Sequence, residues 1–544
     1  MMDTKSNVRF EEVVLGDDGV YVEDDNGMMK VAERMWIEKK TKDIDTNGIK
    51  MVVKYECYGK IEELILERNE CLDYNCLLKF QKFGLDIHHF NKLHIVKHFL
   101  NQEMIAEMVN THSKIGFGEY EGKVIYKAFN SVGTESTYTG GYDIKPKGKK
   151  EVWLDMFEEE VLGNANLELI CSISLTSILI GFIGEEYSLE TIIVHLVGNS
   201  TTGKSTALRL AISIFGSIKV GDNSLFSTYN TTHNAIMKRM AGTKGVTFAF
   251  DELSINNTAN FTQTVYTLSQ GVDKARLNKN SEQKEQGTWL GVILSNGEKS
   301  LLNSSNKNAG IQMRVIEIEN VSWTSSADNA EKINKIIVKN NGHIAIEIAQ
   351  YMIELGKEEV SKRYEENVGI LKKVMNANNL VDEFTSRRVS KLATIITTAK
   401  IFEEYLSKEL GKEVKLDIKG MIKILLNVEK ESIKSRNFDK SVLEHIRQYV
   451  VDNKNKFEIS GKEKPKGEVL GKLTKKKEYT ELEITPSRFE KMIKEGGFED
   501  KNVVLRELKN KGILDCDSDR YTRKRMTDVG KLPVIVIKFP RKDK

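Results

Sequence analysis

Apolar positions change period along the chain, and the changes mark its parts. The first hundred and fifty residues open with alternating or apolar stretches, VRFEEVVL, VYVEDDNGMMKVAERMWI and IKMVVKYECYGKIEELIL, each readable as strand. A helical pattern follows from Cys76 to about Asn110, so this part reads as an α+β domain. Leu169 to Gly184 is an uncharged run of 16 residues with three Ser and one Thr. A bilayer needs about 20 apolar residues, so a buried core helix is expected. Short apolar strands then alternate with helical stretches, the pattern of an α/β layer. The last part, from Tyr479, predicts a helix opened by Thr485-Pro486-Ser487, a Gly-Gly break at 496–497, a second helix from Asp500 to Asn510, and a strand from Leu532 to Lys538. Helix, turn, helix and a two-stranded wing make a winged helix.

With 544 residues, three or four domains are expected. The five prolines, Pro146, Pro465, Pro486, Pro533 and Pro540, leave 147–464 without a proline break. The reading is an N-terminal α+β domain (1–150), an α/β P-loop core with a helical lid (151–435) and a basic C-terminal winged helix (436–544). Five scattered cysteines, Cys57, Cys71, Cys76, Cys171 and Cys516, form no C-x-x-C pair. They exclude a disulfide scaffold and a zinc ribbon and fit a reducing cytoplasm. No signal-like h-region opens the chain, and no membrane association is expected. His94 and His98 stand at i and i+4, but with no carboxylate or Cys cluster beside them they read as ordinary histidines.

Net charge is +3, from 82 Lys and Arg against 79 Asp and Glu. The total hides an asymmetry. Residues 451–544 carry 25 basic and 17 acidic side chains, and residues 1–450 carry 57 and 62, so an acidic body is joined to a basic tail.

The chemistry lies in the middle. A strand, Thr191 to Val197, runs into Gly198-Asn199-Ser200-Thr201-Thr202-Gly203-Lys204-Ser205-Thr206 and then a helix. This is G-x-x-x-x-G-K-[ST] between a strand and a helix, the context in which backbone N–H groups cradle phosphates. Lys204 is expected on the β and γ phosphates of ATP, and Ser205 on Mg²⁺. A second apolar strand ends in Asp251-Glu252, with Asp251 for the metal and Glu252 as general base. A third, Trp289 to Asn296, ends in an amide placed like the sensor 1 of AAA+ ATPases. Arg314 begins a fourth apolar strand and is the candidate arginine finger; Arg388, opening a later helix, is the candidate sensor 2. Between the carboxylates and Asn296, a polar stretch with Lys274, Arg276, Lys279 and Lys284 predicts a hairpin that would line a ring's pore and grip DNA phosphates. In the tail, Arg506 and Lys509 on the second helix and Arg523, Lys524 and Arg525 on the wing are the candidate duplex contacts.

As a set, GNSTTGKST, TYNTTHNAIMKRMAGTKGVTFAFDEL, LSQGVDKARLN, TWLGVILSNGE and the helix beginning RRV resemble the self-loading Rep/Cch-like replication helicases of phage-related pathogenicity islands and cassette elements. Those are AAA+ proteins, similar to MCM and superfamily-three helicases, and include chains catalogued as a domain of unknown function. The resemblance covers roughly 150–410. It implies a hexameric ring that hydrolyses ATP to move on DNA and initiates replication of a mobile element, with single strands in the pore and duplex origin at the tail. No primase motif is present, so a separate primase or polymerase would be needed. The reading set against it is an AAA+ ATPase that remodels proteins or serves phage-related regulation or defence.

Overall fold

The structure, a computed structural model, describes residues 13–24, 27–221, 223–228, 232–251, 261–274, 286–304, 313–436, 438–461, 463–498, 500–517, 520–527 and 530–540. Glu252, Arg276, Lys279 and Lys284 lie outside them.

The N-terminal strands form where alternation predicted them. Val13–Leu15, Gly19–Asp24 and Gly27–Glu33 make an antiparallel meander. Met35–Asp43, Ile49–Cys57 and Lys60–Glu67 pair antiparallel within a five-stranded sheet that Met108–His112 and Thr137–Tyr138 complete. Met35, Met51, Val53, Leu66, Ile95 and Phe99 close this core. The helix expected from Cys76 to Asn110 is in fact several pieces, the longest being Lys92–Ile105. Gly84, left-handed at φ 89°, ends the preceding turn of 3₁₀ helix. His98 is buried and bonds the Met35 carbonyl through Nε2 at 2.8 Å, an ordinary core histidine.

Among the described residues the central sheet has eight strands. Five are parallel, in the spatial order Val315–Glu319, Ile192–Val197, Trp289–Gly297, Thr243–Asp251 and Phe226–Thr228. The strand ahead of the phosphate loop thus sits between the Arg314 strand and the Asn296 strand. Beyond Thr243–Asp251 the sheet continues into Gly116–Tyr120, Lys123–Lys127 and Ser131–Val132. The hydrophobic core under this sheet begins at Ile115, and the boundary expected at 150 falls inside it.

Ala165–Ile183 is the buried helix foreseen around Leu169. It is the one helix among the described residues long and apolar enough to cross a membrane, and 89% of its span is buried inside the protein. Its hydroxyls are satisfied within the fold: Ser172 donates to the Glu168 carbonyl, Ser174 to that of Ala211 and Thr176 to that of Ser172. Its Gly181 meets Gly245 of the carboxylate strand, where an added Cβ would come within 2.6 Å of backbone. That contact seats the strand carrying Asp251 directly on the helix.

The tail folds around its own core, from Val442 to Phe539. Pro486 opens the helix Pro486–Glu495, the Asp500 side chain caps Lys501–Asn510, and the strand predicted from Leu532 is longer, Gly530–Pro540, paired antiparallel with Arg523–Thr527. The multidomain architecture of α+β, α/β core with helices, and winged helix is therefore what the chain adopts.

Candidate functional site

The parallel strands end along one edge, the usual place for ligands in open α/β sheets. There the loop 198–203 turns into the helix Lys204–Ser213. The turn needs Gly203: its φ is 82°, and a Cβ would lie 2.6 Å from the Thr324 hydroxyl. Thr201 also takes a positive φ, 74°. The residues from Ser200 to Thr206 line a cavity of about 990 Å³ together with Asp251 and Asn296. Lys204 curls back, donating from Nζ to the carbonyls of Gly198 at 2.8 Å and Asn199 at 2.6 Å. Burial pulls the Lys204 ammonium below its ordinary pKa, while Glu298 and then Asp251 oppose that. Asn296 Nδ2 donates to Ser205 Oγ at 3.3 Å, so the end of the third strand touches the phosphate loop.

Among the described residues no group of three or more His, Cys, Asp or Glu gathers as a metal site. Nucleotide-bound Mg²⁺ asks less of a protein, because phosphates and water fill most of its octahedron. Asp251 Oδ1 is buried without a hydrogen-bond partner among the described residues, and Ser205 lines the same cavity. That orphaned carboxylate oxygen fits such an ion.

Three features of the site were missed from sequence. One is a second helix start: Ala327–Ile337, capped by Ser326, opens onto the cavity and adds the partial positive charge of its first turn. Ser326 ahead of a helical pattern was the available signal. Another is Glu298, whose Oε1 accepts from Ser200 Oγ at 2.7 Å. The third is a buried polar row behind the loop. His195 pairs across the sheet with Ser295 on one side and Glu317 on the other. His195 shares a 2.8 Å hydrogen bond with Ser295 Oγ and one of 3.1 Å with the Lys299 carbonyl. Burial lowers its pKa from 6.5 to about 4. Glu317 accepts from Ser300 Oγ and the Leu301 amide, each at 2.6 Å. Burial raises its carboxyl to about 7.

The arginines lie elsewhere. Arg314 is half-buried with its guanidinium 4.6 Å from the Tyr266 ring, and it does not line its own chain's cavity. Lys391 beside it donates to the Met313 carbonyl at 3.0 Å. Burial drives Lys391 down to about 8; Glu190 opposes this, and Arg388, Arg314 and Arg387 add to it. Arg388 is not brought to the cavity. It is buried in an ion pair with Glu429, which is fully buried as well.

Of the expected pore hairpin, only the base is described. Val272 bridges Thr288 antiparallel, and the Asp273 amide donates to the Gly287 carbonyl at 2.8 Å. Lys274 is exposed at this base. In the tail, Arg506 is well exposed, and Lys509 stands 5.7 Å from the Tyr521 ring. On the wing, Arg523 is held by Asp515 and Asp517, and Arg525 by Glu483, with Asp515 3.7 Å away. Strand alternation puts these two on the inner face, and Lys524 between them is exposed.

Residues 14–288, just over half of the chain, match the model of a domain of unknown function, DUF927. The chain belongs to the DUF927 family. Its residues 437–542 match the Cch helix-turn-helix domain. Among solved structures, this DUF927 chain is similar over 98% of its length, and 98% of the other, to one described as "SCCmec type IV Cch - active helicase", at 23% identity and a TM-score of 0.78. That likeness shows the shared fold, a Cch-type multidomain architecture. A JCV helicase structure is 12% identical, with coverage of 46% and 74% and a TM-score of 0.19, too low to carry weight. No curated protein matches the chain.

Proposed function

We propose that this chain is an ATP-dependent DNA helicase that initiates replication of a mobile element. One observation carries the reading: a phosphate loop, an orphaned carboxylate and a strand-end amide from three strands converge on one cavity. They do so in a fold shared with a structure described as an active helicase, whose tail family this chain also matches.

In this reading residues 198–206 hold ATP, and Ser205 and Asp251 hold Mg²⁺, which supplies neutralisation of phosphate charge when bound. Lys204 exchanges the loop's own carbonyls for phosphate oxygens. Glu252 takes the proton of the attacking water, and Asn296 orients that water. Arg314, half-buried in a cationic cluster and away from its own cavity, serves a neighbouring subunit's site in a homo-hexamer. Arg388 acts by holding the helical region through Glu429 rather than by touching nucleotide. Lys274, with Arg276, Lys279 and Lys284 farther along the hairpin, follows single-stranded phosphates in the pore. Arg506, Lys509 and Lys524 meet duplex DNA. Three units are proposed along the chain, with priming and synthesis left to other proteins.

The test is strand displacement on forked duplexes of both tail polarities, with ATP and Mg²⁺. The wild type is expected to unwind one polarity and Lys204→Ala neither. Unwinding by Lys204→Ala would remove the proposed motor.

A further inference from the structure

A carboxylate facing a phosphate cavity is an electrostatic liability, and its presence asks for a reason. Glu298 is exposed into the cavity two residues beyond Asn296, and its Oε1 accepts the Ser200 hydroxyl at 2.7 Å. Asn296 meanwhile donates to Ser205 at the other end of the loop. The end of the third strand and the residue just beyond it therefore touch the phosphate loop at two serines.

The same segment is fixed from behind. His195, on the strand that leads into the loop, bonds the Lys299 carbonyl, and Glu317, on the strand that Arg314 precedes, accepts from Ser300 and Leu301. His195 is buried and Glu317 half-buried, so their hydrogen bonds are costly to lose. A short, strongly held segment with two contacts forward is a bracket. We propose that Glu298 is a positioning residue for nucleotide hydrolysis: through Ser200 it holds the phosphate loop in register with the Asn296 strand. It acts through Ser200 and does not take part in bond making or breaking.

The inference rests on the proposed hydrolase reading, and the experiment separates the two. The full-length chain and its variants Glu298→Ala, Glu298→Gln, Ser200→Ala and the Ser200→Ala/Glu298→Ala pair are assayed for phosphate release from Mg²⁺-ATP, with Tm measured for each. Each alanine variant is expected to lose about tenfold in kcat, the size of one charge-assisted hydrogen bond, with a smaller change in KM. The double variant is expected to be no worse than the weaker of the two singles, because both remove the same bond. Glu298→Gln, whose amide oxygen still accepts from Ser200, is expected to recover most of the loss. Multiplicative losses in the double variant would overturn the proposal. So would a Glu298→Gln as impaired as Glu298→Ala, or a Glu298→Ala with wild-type kcat. If Glu298→Ala lowers Tm sharply, Ser200→Ala interrogates the same bond from the other side. A wild-type chain that releases no phosphate would instead sink the hydrolase reading.

Discussion

The phosphate loop and the wing are both places where a short run of residues advertises its chemistry, and they fare differently in the folded chain. At the loop, Ser200 to Ser205 line one cavity with Asp251 and Asn296, and Lys204 bonds the carbonyls of Gly198 and Asn199 that open the pattern. On the wing, two of the three consecutive basic residues are bound to carboxylates of their own domain. The pattern G-x-x-x-x-G-K-[ST] specifies backbone, since Gly203 must be left-handed and the helix must begin at Lys204. A charge run specifies only composition, and long side chains find their partners from whatever the fold brings near.

The sharpest break of that comparison is at the loop. Lys204→Ala is expected to lower kcat for ATP hydrolysis by a factor of about 10² or more, as loss of a principal phosphate contact does. Measured phosphate release near the wild-type rate would mean that a correctly folded loop is not a working one.

Arg388 sharpens the comparison, because it was expected at the nucleotide by analogy of position and is found with Glu429, 41 residues away in sequence. Removing one partner of a buried pair typically costs about 3–5 kcal/mol. Arg388→Ala is therefore expected to lower Tm by several degrees, and Glu429→Ala to do the same. A Tm unchanged in both, with hydrolysis lost only in Arg388→Ala, would return Arg388 to the nucleotide.

The buried row behind the loop makes a smaller, pH-dependent prediction. His195, at about 4 in the fold against an ordinary 6.5, destabilises the fold progressively as pH falls from 6.5 towards 4, because the unfolded chain binds the proton first. Glu317, at about 7 against 4.5, does the reverse: the fold binds the proton first, so stability rises as pH falls from 7 towards 4.5. The two largely cancel over the shared window. His195→Gln is expected to unmask Glu317, so that urea midpoints for this variant rise from pH 7.5 to 5 relative to wild type. A parallel pH profile for the two chains would show that the row is not coupled to folding in this way.

How much was legible follows the same division. Four of the five parallel strands, the loop, the core helix at Ala165–Ile183 and the tail helices were readable because periodicity and helix-start signals are local; the three-residue Phe226–Thr228 was not. What was not readable depended on partners distant in sequence. Gly116 joins the central sheet through a single register pair with Lys244, so nothing local announces that the core under this sheet starts near 115. Nothing local marks Glu298, because its partner Ser200 lies 98 residues before it. The His195, Ser295 and Glu317 row exists only in the register of three strands.

The mildest test returns to the wing, where alternation separates neighbours of equal charge. Arg523 and Arg525 face Asp515 and Glu483, whereas Lys524 is exposed. If Lys524 meets a phosphate, Lys524→Ala should weaken duplex binding a few-fold and reduce the slope of log K against log salt by about 0.9, the release of one counterion. Arg523→Ala should leave that slope nearly unchanged and show its effect in Tm, because its charge is already balanced within the domain. Duplex affinity measured across a salt series, with both variants beside wild type, decides this. Equal slope changes in the two would mean that the Asp515 pairs open on DNA, so that the run RKR acts as the undivided basic patch its composition suggested. Unequal slopes would mean that the strand, by turning two of three cations inward, has already chosen which one reads the backbone.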